Sequence, residues 1–164
     1  MRIIAGVAKG RNLTTVAGVT RPTSDRAREA LFSSIQSEFG DFSNLFFLDL
    51  YSGTGAVALE ALSRGFKFVH AVEKDEQACA TIKNNFDLVK RANPNGQFKL
   101  HELSVTKFLS HSAKDKFDVV FIDPPYETDN LEVVDIVKKL IYEGGSKLGL
   151  NLSVQTMDEN TLEI

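Results

Sequence analysis

Apolar residues in this chain follow two alternating patterns. Short runs with continuous or alternating apolar residues predict strands at 45–50, 68–72, 97–101 and 117–122. Between and after these runs, apolar residues recur every three or four positions, which predicts helices at 56–64, 76–90, 105–110 and 131–142. Strands that alternate with helices are typical of a parallel sheet covered on both faces. The sequence therefore predicts a doubly wound, mostly parallel, Rossmann-like α/β fold.

The N-terminal part of the chain, 1–40, precedes this alternation and predicts a small extension. Segments 2–5 and 11–16 are strand-like and are joined by a turn containing glycine and lysine, which indicates a β-hairpin. Thr23 or Ser24 is a suitable N-cap for a helix that ends at Gly40. Its predicted core-facing positions recur every four residues, at Ala27, Leu31, Ile35 and Phe39. We therefore expect a basic hairpin and helix extension, 1–40, packed on a core of 41–164 within one structural domain.

The composition is that of one globular domain. The chain has 164 residues, of which 43% are hydrophobic and 25% charged. No apolar segment approaches the roughly 20 residues of a membrane helix, and the apolar stretch at the N-terminus is too short for a signal peptide. Cys79 is the single cysteine and the three histidines are not at ligand spacing, so we expect no disulfide and no metal. These features predict a cytoplasmic protein with no membrane partner.

Charge is unevenly distributed along the chain. Segment 1–28 carries six lysines and arginines against Asp25 alone, a net charge of +5, whereas the whole chain carries −3. Five of those six basic residues are arginines, which bind phosphates in a fork better than lysines do. A basic arm on an acidic body favours local contact with a nucleic-acid backbone. The alternative is a solvated edge strand protected by its charges.

The segment Asp123-Pro124-Pro125-Tyr126 directly follows the last of the four predicted strands. The Asp123 carboxylate can accept one hydrogen of an exocyclic amine, the Pro124 carbonyl can accept the other, and Tyr126 can stack on the ring. The two prolines restrict the backbone and so orient these acceptors. Methylation of a nucleobase amine needs such an arrangement. The alternative is that the prolines only end a strand and that Asp123 caps the next helix.

A second motif, Asp-Leu-Tyr-Ser-Gly-Thr-Gly at 49–55, lies between the first core strand and its helix, where doubly wound sheets bind ligands. Gly53 and Gly55 allow the backbone to approach a ligand closely. Glu73 ends the next strand, near the offset at which an acid binds ribose hydroxyls. The glycines also match a relaxed dinucleotide fingerprint, but the Asp49 carboxylate would repel a pyrophosphate. A carboxylate there suits a cationic methyl donor, S-adenosylmethionine.

These segments together resemble the RsmD-type guanine methyltransferases of small-subunit (16S) ribosomal RNA. The matching stretches are the basic start of the chain, the distinctive segment 21–32 (Arg-Pro-Thr-Ser-Asp-Arg-Ala-Arg-Glu-Ala-Leu-Phe), the donor-site pattern at 49–55 and 59–65, and 123–126. The resemblance covers residues 1 to about 145. It implies a methyltransferase fold, S-adenosylmethionine as cofactor, and methylation of the 2-amino group of one guanine in 16S ribosomal RNA or the small ribosomal subunit.

The resemblance also implies roles for individual residues. The methyl donor would be held by Asp49, Tyr51, Gly53, Gly55, Glu73, Ser104 and Val105. The target base would be held by Asp123, Pro124, Pro125 and Tyr126. The substrate RNA would contact Arg2, Lys9, Arg11, Arg21, Arg26 and Arg28.

Two positions depart from the family pattern. Family members usually have Asp or Asn before a small residue to bind the adenine amine of the donor, and this chain has Ser104-Val105, a weaker acceptor. Related folds close with an antiparallel hairpin after the turn at Gly144-Gly145. Here 147–157 can supply one strand, whereas 158–164 is polar and too short for another. The C-terminal edge is therefore either completed differently or truncated.

Two other functions compete with ribosomal RNA methylation. A DNA adenine methyltransferase uses a related tetrapeptide but usually adds a target-recognition region, for which this chain has no room. A non-catalytic ribosome-assembly factor that keeps the fold fits the altered C-terminus and Ser104. The complete set of Asp49, Glu73 and Asp123 favours the enzyme, because a structural protein has no reason to keep three carboxylates at one sheet edge.

Overall fold

The computed structural model describes residues 1–16, 23–111, 116–125 and 127–143, with 141–143 described in their backbone alone. Its helices are α1 (Asp25–Phe39), α2 (Ala56–Ser63), α3 (Glu76–Lys90), α4 (Val105–Ser110) and α5 (Asn130–Glu143). Its strands are β1 (Phe46–Leu50), β2 (Phe68–Glu73), β3 (Gln97–Glu102) and β4 (Val119–Ile122). The predicted elements of the core are therefore all present, in the predicted order.

The strands form one sheet in the order β3-β2-β1-β4, and every neighbouring pair is parallel. β1 lies in the middle, with Asp49 opposite Ala71 of β2 and Phe121 of β4. The predicted doubly wound parallel fold is confirmed. Because β1 lies between β2 and β4, the carboxyl ends of these three strands meet at one edge of the sheet.

Alternate strand residues contribute to two cores on opposite faces of the sheet. Phe47 and Phe121 belong to the core covered by α1, α2 and α3. Leu48 and Ile122 belong to the core covered by α4 and α5. β4 begins at Val119 rather than at residue 117, because the side chain of Asp118 accepts the hydrogen bond of the Phe46 N–H at 2.8 Å in place of a backbone carbonyl.

The N-terminal segment, 1–14, forms a short irregular hairpin that packs against α2. An antiparallel bridge joins Arg2 and Asn12, and backbone hydrogen bonds cross from the Ile3 N–H to the Arg11 carbonyl and from the Leu13 N–H to the Met1 carbonyl, both at 2.9 Å. The N–H groups of Ile4 and Ala5 donate to the Glu60 carboxylate of α2, at 2.8 and 3.0 Å. The predicted hairpin pairing is therefore present, but the regular strands 2–5 and 11–16 are reduced to a single bridge.

Ser63 and Gly6 complete this contact between the N-terminal segment and α2. The Ser63 hydroxyl donates to the Ala5 carbonyl at 2.6 Å and accepts the Ala8 N–H at 3.0 Å. The Ser63 carbonyl accepts the Val7 N–H at 2.9 Å. Gly6 has φ +82°, and a Cβ built on it would lie 1.9 Å from the Ser63 carbonyl oxygen. Only glycine allows this close approach.

Helix α1 begins as predicted and buries part of the predicted face. The Ser24 hydroxyl accepts the Ala27 N–H at 3.2 Å, which confirms the N-cap. The buried positions are Arg28, Leu31, Phe32 and Ile35, of which Leu31 and Ile35 were predicted to face the core. Arg28 was not among the predicted core-facing positions. Its Nη2 donates to the Arg2 carbonyl at 2.7 Å and to Asp25 at 2.6 Å, whereas its Nε and Nη1 have no partner among the described residues.

The C-terminal predictions fall outside the described part of the chain. The turn at Gly144-Gly145, the predicted strand 147–157 and the tail 158–164 all lie beyond residue 143. Within the described ranges, no helix combines the length and apolarity needed to cross a membrane.

Candidate active site

Three acidic side chains meet where β1, β2 and β4 end. Asp49 is the penultimate residue of β1, Glu73 is the last residue of β2, and Asp123 directly follows β4. Burial raises the pKa of Asp49 well above its ordinary value, and the charges of Asp123 and Glu73 raise it further. The fold therefore brings the three acids within electrostatic reach of one another, as their positions in the sequence predict.

Asp49 is almost completely buried, with 1% of its surface exposed. Its Oδ2 accepts the Ala58 N–H of α2 at 3.1 Å. No donor in the described part of the chain contacts its Oδ1. An unpartnered buried carboxylate oxygen is costly, and a cationic ligand would remove that cost. The surroundings of Asp49 are therefore chemically suited to a positively charged group.

The loop between β1 and α2, residues 51–55, is tied to the sheet by Ser52. The Ser52 N–H donates to the Val72 carbonyl at 3.0 Å. Its hydroxyl donates to the Asp49 carbonyl at 2.8 Å and accepts the Val72 N–H at 3.0 Å. The loop backbone is thus held between β1 and β2, directly beside the Asp49 carboxylate.

The two glycines of this loop have the left-handed backbone conformation for different reasons. Gly55, the N-cap of α2, has φ +76°, and a Cβ there would lie 3.1 Å from the Ile82 side chain of α3. Gly53 has φ +55°, and a Cβ there would meet no heavy atom within 4 Å. Gly55 therefore serves the packing of the loop on α3, whereas Gly53 leaves open space on the side where a ligand would approach.

Tyr51 also has a positive φ, +64°, which is strained for a bulky residue. Its ring packs against the core under α4 and α5. Its hydroxyl is buried and has no hydrogen-bond partner in the described ranges. Burial, and then the charge of Glu132, raise the pKa of Tyr51 to about 12. The ring therefore belongs to the second core, and the backbone of Tyr51 is what lies in the loop.

Glu73 holds the same loop from the end of β2. Its Oε2 accepts the Gly53 N–H at 2.8 Å, and its Oε1 accepts the N–H groups of Lys74 and Asp75 at 2.8 and 3.0 Å. A carboxylate has about four acceptor positions, so three hydrogen bonds still leave capacity for a ligand hydroxyl. Glu73 therefore positions the loop and can also face a ligand.

Ser104 and Val105 lie at the start of α4, after β3. The Ser104 hydroxyl accepts the Lys107 N–H at 3.2 Å and so caps the helix. Val105, the first residue of the helix, is buried. Because the Ser104 oxygen is already an acceptor in the cap, it has less capacity to accept a hydrogen bond from a ligand amine.

Asp123 is held from the far side by the N-terminal extension. Thr23 donates to Asp123 Oδ2 at 3.5 Å, a long hydrogen bond. Burial raises the pKa of Asp123, and the Thr23 hydroxyl opposes that rise. The Pro125 carbonyl accepts the Thr128 N–H at 2.9 Å, whereas no donor among the described residues contacts the Pro124 carbonyl. Asp123 and Pro124 are thus consecutive residues that each keep acceptor capacity, and Tyr126 lies outside the described residues.

The residues expected to contact RNA differ in accessibility. Lys9 and Arg26 are exposed and Arg11 is half-buried. Arg2 has an exposed side chain whose Nε lies 3.4 Å from Asp25. Arg28 is completely buried among the acceptors described above and cannot reach an RNA backbone, so this expectation was wrong. Arg21 lies outside the described residues.

Segment 59–65 has a function that the sequence interpretation did not assign. We expected it to follow the donor-site pattern, but Glu60 and Ser63 face the N-terminal segment, and Arg64 binds Glu60 at 2.7 Å. All eight residues of α2 are buried. An acid within an otherwise apolar helix was the signal that could have identified Glu60 as a structural acceptor.

The chain has relatives in several bacteria. Residues 1–158 match the family described as Conserved hypothetical protein 95. YlbH of Bacillus subtilis, a proposed rRNA methyltransferase, is 36% identical over 140 residues, which are 82% of this chain and 71% of YlbH. Ribosomal RNA small subunit methyltransferase D of Haemophilus influenzae is 33% identical over 132 residues, 77% of this chain and 64% of the relative. The chain thus spans about two thirds of these curated relatives.

A solved structure shares the fold. The Escherichia coli protein yhhF, a proposed methyltransferase, superimposes with a TM-score of 0.68 at 27% identity, covering 84% of this chain and 71% of yhhF. The observed architecture is therefore that of a Rossmann-like methyltransferase.

Proposed function

Because the chain belongs to the Conserved hypothetical protein 95 family of RsmD-type methyltransferases, we propose that it transfers a methyl group from S-adenosylmethionine to the 2-amino group of a guanine in small-subunit ribosomal RNA. The observation that carries this proposal is the Asp49 carboxylate, which is buried at the switch point of the sheet with one oxygen that no described residue contacts. A dinucleotide would bring negative phosphates to this carboxylate. S-adenosylmethionine instead carries an ammonium and a sulfonium.

The chain's residues fit this donor in three places. The Asp49 Oδ1 would accept a hydrogen bond from the donor's ammonium, the open side of Gly53 would admit its methionine part, and Glu73 would accept its ribose hydroxyls. Ser104 offers the adenine a weaker acceptor than an acid would, because its hydroxyl oxygen caps α4. When bound, the donor supplies a methyl group on a good leaving group. The protein therefore has only to bind and orient the two reactants.

Asp123 and Pro124 would hold the acceptor amine. The lone pair of an exocyclic amine is delocalised into its ring. Two hydrogen-bond acceptors on the amine hydrogens favour a pyramidal nitrogen whose lone pair can be directed at the methyl group. Asp123 can supply one acceptor when it is ionised, and the unpartnered Pro124 carbonyl the other. A base held in this way must leave its stack, so we expect a loop or flipped nucleotide as the target, with Tyr126 stacked on it.

The N-terminal extension would supply contacts to the RNA backbone. Lys9, Arg11 and Arg26 lie at least partly exposed on the segment and helix that reach the site. Arg2 also projects its side chain to solvent. These charges would give sequence-independent affinity, and the site at 123–126 would select the base. Ribosomal RNA and the small subunit would be met in the cytoplasm.

The decisive experiment is transfer of labelled methyl from S-adenosylmethionine to small ribosomal subunits that lack this modification. We expect label in guanine of the 16S RNA with the unchanged chain. We expect Asp123→Asn to reduce the rate about 100-fold to 1000-fold, the size typical of losing one preorganised polar group, because the amide is uncharged and replaces one acceptor oxygen by an NH2 donor. Binding of S-adenosylhomocysteine, measured by calorimetry, should remain within about twofold of the unchanged chain, since the proposed roles give the donor to Asp49 and Glu73 and the acceptor amine to Asp123.

The matched control is Glu127→Gln, which removes an exposed carboxylate close to Asp123 in the sequence. It should leave the transfer rate unchanged. Donor binding that falls in parallel with transfer in Asp123→Asn would contradict the separate roles of Asp49 and Asp123. Donor binding without transfer to any subunit would favour the non-catalytic assembly factor. Label in adenine would favour a methyltransferase that acts on an adenine amine.

A further inference from the structure

Asn85 of α3 is completely buried and joins two parts of the chain that are distant in sequence. Its Oδ1 accepts the Thr14 N–H at 2.8 Å, and its Nδ2 donates to the Thr14 carbonyl at 3.0 Å. The same Nδ2 donates to the Thr54 carbonyl at 3.1 Å. One side chain therefore holds both backbone groups of Thr14 and the backbone of the loop between β1 and α2.

The two parts that Asn85 joins would bind different reactants: the N-terminal segment would contact the RNA, and the loop between β1 and α2 would contact the methyl donor. Thr14 follows the basic residues Arg2, Lys9 and Arg11 in the N-terminal segment. Thr54 lies between Gly53, whose N–H is bound by Glu73, and Gly55, which packs against Ile82 of α3. A displacement of the N-terminal segment would therefore move the loop between β1 and α2, residues 51–55 (the donor loop), through one buried side chain.

Farther along the chain, Thr23 of the same N-terminal extension contacts the acceptor motif that begins at Asp123. Thr23 donates to Asp123 at 3.5 Å, so the N-terminal extension contacts the donor loop through Asn85 and the acceptor motif through Thr23. Asparagine suits the first contact for a chemical reason, because its amide supplies two donors and an acceptor in one plane. Aspartate would lack the donors for the Thr14 and Thr54 carbonyls, and alanine would leave all three backbone groups without this partner.

We propose that Asn85 is a positioning residue that couples the RNA-contacting segment to the donor loop, so that RNA and methyl donor strengthen each other's binding. The proposal rests on the proposed function for the identity of the two ligands. RNA bound to the segment holds Thr14 against Asn85, and Asn85 in turn holds the Thr54 carbonyl and the loop conformation that receives the donor. Because coupling between two binding sites is reciprocal, the donor must strengthen RNA binding by the same factor.

The test measures S-adenosylhomocysteine affinity by calorimetry, with and without saturating 16S RNA transcribed in vitro. We expect RNA to tighten binding about tenfold in the unchanged chain, within the usual range of such coupling. Thr14→Pro removes the N–H that donates to Asn85 at a position exposed to solvent. In this variant, RNA should no longer tighten S-adenosylhomocysteine binding, while the affinity measured without RNA stays within about twofold of that of the unchanged chain. Thr14→Ala keeps both backbone groups and should behave as the unchanged chain.

A purely structural role for Asn85 predicts a different result. Thr14→Pro would then lower the melting temperature but leave the tightening by RNA as large as in Thr14→Ala, and this outcome would overturn the proposal. Absence of any tightening in the unchanged chain would overturn it as well. If Thr14→Pro does not fold, amide exchange of the unchanged chain decides: S-adenosylhomocysteine should slow exchange of the Thr14 amide, and an unaffected rate would contradict the coupling.

Failure of the coupling and failure of the proposed function give separate results. Methyl transfer by the unchanged chain, with no effect of RNA on donor affinity, rejects the coupling alone. An unchanged chain that binds S-adenosylhomocysteine but neither binds 16S RNA nor methylates small subunits rejects both.

Discussion

Two regions of the molecule differ in whether their buried polar groups have hydrogen-bond partners. The first is the contact between the N-terminal segment and helices α2 and α3, and the second is the carboxyl edge of the sheet. In the first region, Glu60 is completely buried and accepts from Ile4, Ala5 and Arg64. In the second region, Asp49 is equally buried but has one donor, and its other oxygen has no partner among the described residues. Each of these two acids lies in an apolar element, so burial alone does not separate them.

The difference indicates which region stabilises the fold and which is kept for a ligand. A buried polar atom without a partner costs about 1–3 kcal/mol. The first region avoids that cost at Glu60, Ser63 and Asn85, although Arg28 of the neighbouring α1 keeps Nε and Nη1 without a partner among the described residues. The carboxyl edge retains the cost at Asp49 and Tyr51, and adds a strained φ at Tyr51. Such retained cost is characteristic of functional sites, where the ligand completes the hydrogen bonding.

The largest effect expected from this comparison is on stability, through Glu60→Ala. The substitution leaves the N–H groups of Ile4 and Ala5 and the Arg64 guanidinium without their acceptor in a buried place. We expect a loss of about 3–5 kcal/mol in the free energy of unfolding, the size typical of removing one partner of a buried charge pair. Urea unfolding followed by circular dichroism measures it.

The control for Glu60→Ala is Glu38→Ala, which removes an exposed carboxylate from α1. It should change the free energy of unfolding by less than about 0.5 kcal/mol. If Glu60→Ala were as mild as this control, the N-terminal segment would not be held by α2 in solution, and the contrast between the two regions would fail.

The next largest effect is expected from Asp49→Asn, which should weaken donor binding but stabilise the fold. Loss of the carboxylate should weaken S-adenosylmethionine binding about 100-fold, since a charged hydrogen bond in a buried site is worth about 1.5–3 kcal/mol. The same substitution should raise the melting temperature at pH 8 by about 2–8 °C, the shift that 1–2 kcal/mol produces in a domain of this size. Calorimetry of donor binding and of unfolding provides the two readouts.

The pH dependence of that stability gain follows from the raised pKa of Asp49. A carboxyl whose pKa is higher in the folded than in the unfolded chain loses stability as pH rises from the unfolded value, about 3.9, through the folded one. Asp49→Asn should therefore stabilise strongly at pH 8 and little at pH 4. Equal gains at both pH values would show that packing, rather than the buried charge, distinguishes Asp49 from Glu60.

The smallest expected effect concerns the contact between the two regions, at Thr23. Transfer should fall as pH falls through the raised pKa of Asp123, about tenfold per pH unit below it, because only the ionised carboxylate accepts the amine hydrogens. The Thr23 hydroxyl opposes that raised pKa. Thr23→Val should therefore move the acid limb of kcat/KM to higher pH, and Thr23→Ser should not. If the acid limbs of the pH profiles coincide for the unchanged chain and both variants, Thr23 does not affect the ionisation of Asp123.

Local pattern predicted the elements of the core well. Helix α3 and helix α4 begin and end where the apolar periodicity and cap residues place them. Ser24 caps α1 as expected from its hydroxyl and the helical pattern behind it. The positions of Asp49, Glu73 and Asp123 at one edge also followed from the sequence, because each lies at or next to the carboxyl end of a strand in a parallel sheet.

The errors arose where a side chain's partner is distant in sequence. Arg28 was expected to contact RNA and lies inside, where, among the described residues, only its Nη2 finds acceptors, the Arg2 carbonyl and Asp25. The predicted strands 2–5 and 11–16 shorten to an irregular hairpin, and the N–H groups of Ile4 and Ala5 are accepted by Glu60, on a helix that comes much later in the chain. The local sequence does not reveal which distant groups these side chains meet.

The sequence by itself determined the order of strands and helices, the carboxyl edge as the site, and the chemical character of its three acids. These follow from periodicity, chain reversal by glycine and the geometry of parallel strands, all of which act over short stretches of chain. Tertiary structure alone decided which buried polar groups are satisfied, and so which acid supports the fold and which awaits a ligand. The reason is that the free energy of a buried charge depends on the donors around it, and folding brings those donors from elsewhere in the chain.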